Sequence, residues 1–191
     1  MGLPLTMRSV TIPASADTLI SYAAPTTNYG TAVGFQCTPL ASSLCHALLS
    51  FNLLVGLPSV FTVVFAKLRL YTYAVFAART IAAYRCLRTD WVETQATWNI
   101  YKTGSSWGTV GCLLAETDYT VTNVALSMAV ANATWQEWDV TNQVNTAITT
   151  TSGIAHFFLK DIGTTATGDN AWRSRDYTDD ATKRPQLVVY G

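Results

Sequence analysis

One segment of the chain has the residue spacing of a serine hydrolase motif. Gly104-Ser105-Ser106-Trp107-Gly108 fits G-x-S-x-G, and Asp139 and His156 follow it in the order Ser, Asp, His. The motif is functional only where a strand precedes the serine and a helix follows it. Lys102 and Thr103 precede this segment and further glycines follow it, so the sequence predicts no helix there. We therefore predict no catalytic residues and no enzymatic activity.

A second segment has the chemistry of a binding site. Trp172-Arg173-Ser174-Arg175-Asp176-Tyr177 places two cations among aromatic rings. Arginine binds a carboxylate through two parallel hydrogen bonds and stacks on flat groups, so the segment suits carboxylated sugars. An alternative is a structural ion-pair network, in which Arg175 pairs with Asp17 or Asp176 and fixes the last strands. The predicted ligand-binding residues are Trp172, Arg173, Arg175, Tyr177 and Lys183.

The acidic residues indicate two weaker possibilities. Glu137 and Asp139 are spaced to share one strand face, as the two carboxylates of a glycosidase would need, but acids on a polar sheet face are ordinary. Four aspartates near the end of the chain could supply oxygen ligands to Ca²⁺, although their spacing matches no known calcium loop: Asp169, Asp176, Asp179 and Asp180. The sequence therefore predicts no metal site and no cofactor, with Ca²⁺ as the alternative.

Cysteine and histidine residues do not indicate a metal site either. Four cysteines allow three full pairings, and none of them forms a C-x-x-C pair: Cys37, Cys45, Cys86 and Cys112. The sequence shows no secretion signal, and thiols of such chains usually stay reduced, so we expect free buried cysteines. His46 and His156 lie in apolar stretches and are interpreted as core or interface residues.

The elements that must position these residues are short strands. In residues 61–73, Ala66, Leu68 and Leu70 alternate with Lys67, Arg69 and Tyr71, which predicts a half-buried strand. Residues 154–159 are apolar on both faces and predict a central strand. Residues 119–130 are predicted to form a strand pair, and Thr141 to cap one short helix with Val144, Ala147 and Ile148 on its buried face. Further strands are predicted at 9–12, 18–22, 31–38, 45–51, 80–87, 136–140, 171–177 and 186–190.

Composition narrows the class of partner. Charged residues make up only 13% of the 191 residues and the formal net charge is zero, which argues against nucleic-acid binding. No uninterrupted apolar run is long enough to cross a membrane. Residues 18–66 contain no Asp, Glu, Lys or Arg. Such a segment needs cover on two sides, either from a neighbouring subunit or from the later half of the same chain.

A tryptophan-rich turn gives the strongest motif of the chain. Residues 90–99 follow the pattern W-x-E-x-x-x-T-W-N, and Trp91, Trp98 and Trp138 are predicted to be structural core residues. The pattern resembles that of the DNRLRE-domain (disaggregatase-related repeat) family and of an allied family of carbohydrate-binding modules. Asn28-Tyr29-Gly30, Trp138-Asp139-Val140-Thr141 and Lys183-Arg184-Pro185 resemble further motifs of that family, in the same order.

The resemblance implies an all-β fold, an antiparallel β-sandwich of jelly-roll type with one short helix, and a non-catalytic surface role. Some members of the family bind acidic polysaccharide. We predict an N-terminal arm at residues 1–8 and a single domain at residues 9–191.

Two functions follow. The first is a structural or adhesive component of a phage virion, such as a capsid decoration or fibre protein. It would work at the virion surface as an oligomer bound to other subunits and to a lattice or capsid protein, with residues 18–66 supplying much of the contact. The alternative is an extracellular carbohydrate-binding module for acidic polysaccharide. Neither function involves nucleic acid or a membrane.

Overall fold

Thirteen strands and two short α-helices make up the described part of the chain. The computed structural model describes residues 7–58, 61–129, 131–163 and 168–191. Most of the predicted N-terminal arm, residues 1–6, lies outside these ranges. The strands are β1 (Ser9–Pro13), β2 (Ala16–Ser21), β3 (Gly34–Cys37), β4 (Cys45–Asn52), β5 (Phe65–Val75), β6 (Arg79–Cys86), β7 (Ile100–Lys102), β8 (Ser105–Ser106), β9 (Tyr119–Ala129), β10 (Trp135–Asp139), β11 (Ile154–Asp161), β12 (Asn170–Arg173) and β13 (Gln186–Tyr190). The helices are α1 (Leu53–Gly56) and α2 (Thr141–Thr150), and residues Ala181–Lys183 form a 3₁₀ turn.

Two antiparallel sheets form the predicted sandwich. The six-stranded sheet runs β1-β13-β5-β12-β3, with β10 on the other edge of β5, and the five-stranded sheet runs β2-β4-β11-β6-β9. The small β7-β8 ladder lies apart from both. The all-β sandwich is therefore confirmed, and β11 is the central strand that its apolar sequence predicts. None of the helices in the described ranges is long and apolar enough to span a membrane.

The main core lies between the two sheets. The alternation of β5 is confirmed, because Leu68 and Leu70 are fully buried whereas Lys67 and Arg69 remain partly exposed on the outer face. Trp138 fills the core beside them and donates its Nε1 hydrogen to the carbonyl oxygen of Ile81 at 2.9 Å. This bond satisfies the polar end of a fully buried tryptophan and links the two sheets.

A second apolar cluster covers the outer face of the five-stranded sheet. Its tryptophans, Trp91, Trp98 and Trp107, come from residues 87–118, which we call the tryptophan loop. These rings pack with Leu48 of β4 and Phe158 of β11. Strand β4 is therefore buried on both faces by its own chain, which is the second of the two interpretations of the charge-free segment. The predicted burial of Trp98 and Phe158 is confirmed.

Several elements differ from the prediction. Residues 119–129 form one long strand, not a strand pair, because Asn123 takes up a positive φ of 57° within the strand without reversing it. Thr141 is the first residue of α2 and not its cap, and its hydroxyl donates to Asp139 at 2.7 Å. Ile148 is 40% exposed, because Gln143 takes a buried place beside Val144 and Ala147. Helix α1, capped by the Asn52 side chain, has no counterpart in the prediction.

Both histidines are held as neutral rings beneath the tryptophan loop. His156 accepts a hydrogen bond at Nδ1 from the Trp91 indole at 3.2 Å, which requires that nitrogen to be unprotonated. His46 directs Nδ1 at the Gly111 carbonyl at 2.9 Å, while its buried Nε2 has no hydrogen-bond partner within the described part of the chain. Burial lowers the pKa of His46 to about 3 and that of His156 to about 4. Their interpretation as core residues is confirmed.

These shifts give a pH dependence of known sign. An unfolded histidine binds a proton near pH 6.5 but folded His156 does not, so its contribution to stability is lost as the pH falls from about 6.5 towards 4. Between pH 7 and pH 5, we expect the wild-type free energy of unfolding to fall by about 2 kcal/mol more than that of His156→Gln. Urea unfolding at pH 7, 6 and 5 measures this difference. All other titrating groups are shared, so parallel pH curves would contradict the assignment.

Candidate functional site

The tryptophan turn is the centre of a polar network that joins three distant segments. Glu93 accepts a hydrogen bond from the backbone N–H of Asp17 at 2.8 Å and one from the Arg175 guanidinium at 3.0 Å. The backbone N–H of Arg175 donates in turn to the Asp17 carboxylate at 2.7 Å. Strand β2, the turn and the segment after β12 are thereby fixed to one another. The structure thus contains the kind of network considered as the alternative role of Arg175, but the ion-pair partner is Glu93 instead of Asp17 or Asp176. Asp17 is bound by the backbone of Arg175.

The Asn28-Tyr29-Gly30 motif serves the same turn. The Asn28 amide donates to the carbonyl oxygens of Glu93 at 2.7 Å and Ala96 at 2.8 Å. A Cβ atom at Gly30 would lie 2.3 Å from the carbonyl oxygen of Glu93, so only glycine fits there. Asn28 and Gly30 therefore shape the turn.

The network also contains the one group of three carboxylates close enough to share a cation among the described residues. Oxygens of Asp17, Glu93 and Asp176 lie within 4.8 Å of one another. Burial raises the pKa of Asp17 to about 7 and raises that of Glu93 above its ordinary value. Arg175 supplies a positive charge to this group from within the chain. Of the four aspartates considered for Ca²⁺, only Asp176 belongs to it.

The residues that fit a hydrolase motif are not assembled into a catalytic site. Ser106 lies in β8 of the small ladder, Asp139 in the six-stranded sheet and His156 in the five-stranded sheet. The Trp91 indole donates a hydrogen bond to His156, and the Thr141 hydroxyl donates one to the Asp139 carboxylate.

Glu137 does not have the electrostatics of a glycosidase acid. Partial burial acts to raise its pKa, but the hydrogen bond from Lys67 at 2.7 Å and the charge of Arg69 outweigh it, so the pKa lies below its ordinary value. A general acid needs a raised pKa.

The outer face of the six-stranded sheet carries a row of rings and cations. We call it the cation–aromatic stripe, and its residues are Arg69, Tyr71, Tyr73, Trp135, Arg173 and Lys183. Tyr71 and Trp135 are direct cross-strand partners with ring centroids 5.4 Å apart. The Arg69 guanidinium lies 4.5 Å from the Trp135 ring centroid, and the Lys183 ammonium lies 5.2 Å from that of Tyr71. All six side chains are at least partly accessible to solvent.

Arg173 differs from the other two cations of this stripe in having no carboxylate partner among the described residues. Its guanidinium carbon lies 4.5 Å from the Tyr73 ring centroid and 4.1 Å from that of Tyr177. Arg69 pairs with Glu137 and Lys183 pairs with Asp180, but no ion pair of the described residues involves Arg173. The two rings hold its plane while its N–H groups remain available to an acceptor.

The five predicted ligand-binding residues are divided between the surface and the interior. Arg173 and Lys183 belong to the stripe. Trp172 is fully buried, because it pairs with Thr72, whose side chain faces the core, and donates to Gln136 at 3.0 Å. Tyr177 is buried beneath Arg173, and Arg175 belongs to the network around Glu93.

The sequence prediction did not assign the other four stripe residues to a site. These are Arg69, Tyr71, Tyr73 and Trp135. The period-two alternation of β5 already placed Arg69 and Tyr71 on the outer face. Their convergence with Trp135 depends on the pairing of β5 with β10.

Comparison with known proteins gives one family. A sequence model of carbohydrate-binding module family 96 matches residues 8–112, which is more than half of the chain. The match includes β5 and the tryptophan turn and ends within the tryptophan loop. No curated protein matches the chain. The comparisons give no support to the DNRLRE name or to a virion role, which remain predictions.

Proposed function

Since this chain belongs to carbohydrate-binding module family 96, we propose that it binds a polysaccharide through the cation–aromatic stripe. The main support for this proposal is the row of partly exposed rings and cations along β5, β10 and β12. Aromatic rings offer flat apolar faces for the C–H faces of sugar rings, and the surrounding cations and amides offer hydrogen bonds. The stripe is open on one side of a sheet, which suits a chain longer than a single sugar.

The proposed ligand is an acidic polysaccharide. Arg173 supports this choice, because its guanidinium is held between two tyrosine rings without a carboxylate partner among the described residues. A sugar carboxylate would supply the two parallel acceptors that an arginine fork favours. Lys183 adds a second positive charge on the same face. A polysaccharide ligand favours the extracellular location over the virion surface.

Binding is tested by electrophoresis in gels that contain polyuronate, a neutral β-glucan or no polymer. We expect polyuronate alone to retard the protein. Arg173→Ala removes charge-assisted hydrogen bonds and should weaken binding about 10- to 100-fold in titration calorimetry. Arg173→Lys keeps the positive charge but lacks the planar guanidinium. Its affinity should lie between those of the wild type and Arg173→Ala.

Lys160→Ala is the matched control, because Lys160 lies on β11 in the other sheet. It removes one positive charge but should leave the affinity unchanged. Equal losses of affinity in Arg173→Ala and Lys160→Ala would indicate a nonspecific charge effect and contradict binding through the stripe. Retardation by β-glucan alone would contradict the acidic ligand, and retardation by no polysaccharide would contradict the proposed function.

A further inference from the structure

Two of the four cysteines converge at the base of the tryptophan loop. Cys86 is the last residue of β6, and Cys112 lies 26 positions further along the chain, where the loop returns to the sheet. Both sulfur atoms approach the same acceptor, the carbonyl oxygen of Asp118, at 3.6 Å and 3.9 Å. The two sulfur atoms are therefore close neighbours in the core that share one acceptor. Both are free and fully buried in the structure.

The backbone around Cys112 is held in an unusual conformation. Cys112 has a positive φ of 62°, which is costly for a residue with a side chain. The preceding Gly111 donates to the carbonyl oxygen of Trp98 at 2.7 Å and accepts from His46 at 2.9 Å. These contacts fix the turn that directs the Cys112 side chain towards Cys86.

A buried carboxylate fixes the rest of this return segment. Asp118 accepts hydrogen bonds from the backbone N–H groups of Gly108 at 2.8 Å, Thr109 at 3.1 Å and Leu114 at 3.1 Å. Arg88, two residues after Cys86, donates to the same carboxylate at 3.0 Å. The segments before and after the loop are thus aligned by contacts that do not involve sulfur. The approach of the two thiols is a consequence of the fold.

The other two cysteines share no hydrogen-bond acceptor among the described residues. Cys37 donates to the carbonyl oxygen of Leu159 at 3.4 Å, on the neighbouring β11. Cys45 interacts with the side chain of Gln36 and the backbone of Thr38. Cys45 is near enough to help raise the pKa of Cys37, but the two sulfur atoms do not approach a common acceptor among the described residues. Cys37 and Cys45 therefore provide an internal control, because they are also buried.

We propose that Cys86 and Cys112 form a disulfide bond when the protein folds in the presence of a small-molecule disulfide, whereas Cys37 and Cys45 remain thiols. The thiolate of one cysteine attacks glutathione disulfide and releases one glutathione thiolate. The second cysteine thiolate then attacks the mixed disulfide and releases another. The two protein thiols lose two protons and two electrons in all, and glutathione disulfide is reduced to two glutathione thiols.

Thiol–disulfide exchange is expected during folding, before the cysteines are buried, since it requires a thiolate that an oxidant can reach. Burial and the neighbouring Cys86 raise the pKa of Cys112 well above its ordinary value in the folded protein. The bond would close a loop that contains Trp91, Trp98 and Trp107. Closing a loop of this length is expected to raise the melting temperature by roughly 10 °C.

The experiment maps thiols in the wild-type protein. Reduced, unfolded protein is refolded in a mixture of oxidised and reduced glutathione, alkylated and digested with trypsin without reduction. We expect a disulfide-linked pair formed by peptide 86–88 and peptide 103–160, together with peptide 9–67 alkylated at both Cys37 and Cys45. Four alkylated cysteines, or a link that involves Cys37 or Cys45, would overturn the proposal.

Melting curves add a second measurement. A reductant should lower the melting temperature of the oxidised wild type by roughly 10 °C. It should lower that of the oxidised Cys37→Ala/Cys45→Ala control by the same amount. It should not change that of Cys86→Ala/Cys112→Ala. If that variant does not fold, the peptide map of the wild type still decides the question. A linked peptide whose reduction leaves the melting temperature unchanged would contradict the stabilising role.

Discussion

Trp98→Ala is expected to lower the free energy of unfolding by about 3–5 kcal/mol, as measured by urea titration at pH 7. The Trp98 side chain is 3% exposed. Its ring centroid lies 5.3 Å from that of His46 and 5.7 Å from that of Tyr22, so it fills the space between the tryptophan loop and β4. Alanine would leave a large cavity there, because both walls are fixed by the sheet and by the loop.

Gly111 indicates how closely this ring is packed. A Cβ atom at Gly111 would lie 2.5 Å from the Trp98 ring, so the backbone of the loop rests directly on it. Removing the ring would therefore also remove the support of the positive-φ turn at residues 111 and 112. The loss should appear as a lower midpoint of one cooperative transition.

Trp135→Ala is the matched control, because Trp135 is the partly exposed tryptophan of the cation–aromatic stripe. It should cost clearly less stability than Trp98→Ala and should weaken polysaccharide binding. Trp98→Ala should retain binding at temperatures where it is folded. A loss of stability in Trp135→Ala equal to or greater than that in Trp98→Ala would contradict the assignment of the two rings.

The local parts of this fold could be predicted from the sequence. The alternation of β5 places Leu68 and Leu70 in the core because side chains of a strand point to opposite faces in turn. The apolar residues of β11 likewise predict a strand that is buried on both faces. Such patterns depend only on near neighbours in the chain.

The burial of β4 by a segment distant in sequence could not be predicted in the same way. The lack of charge in residues 18–66 shows that β4 is covered, but not by which atoms. The tryptophan loop lies on it through contacts between residues far apart in sequence, such as His46 and Trp98. A subunit interface would leave the same compositional signal, which is why both interpretations were open.

The candidate site was predicted only in part for a similar reason. Arg173 and Lys183 were found from residue type, but a short strand such as β12 does not reveal which of its side chains faces the core. The register with β5 decides this, since Trp172 pairs with the inward-facing Thr72. The same register problem hid Trp135, which joins Tyr71 only across the β5-β10 pair.

The largest electrostatic effect is expected at a buried ion pair between β6 and β11. The side chains of Arg79 and Asp161 are fully buried, and the Arg79 guanidinium donates to both carboxylate oxygens of Asp161. Gly163 donates its backbone N–H to the same carboxylate at 2.7 Å. The pair therefore fixes the end of β11 and the turn that follows it against the start of β6.

Asp161→Ala should lower the free energy of unfolding by about 3–5 kcal/mol, because it leaves the buried Arg79 guanidinium without this carboxylate. The double variant Arg79→Met/Asp161→Leu removes both charges and keeps the volume, so it should recover most of that loss. Asp90→Ala breaks the solvent-exposed pair with Lys102 and should cost far less. Urea titrations of the four proteins measure these differences. A double variant as unstable as Asp161→Ala would show that packing at this site, and not the loss of the Asp161 charge beside Arg79, sets the cost.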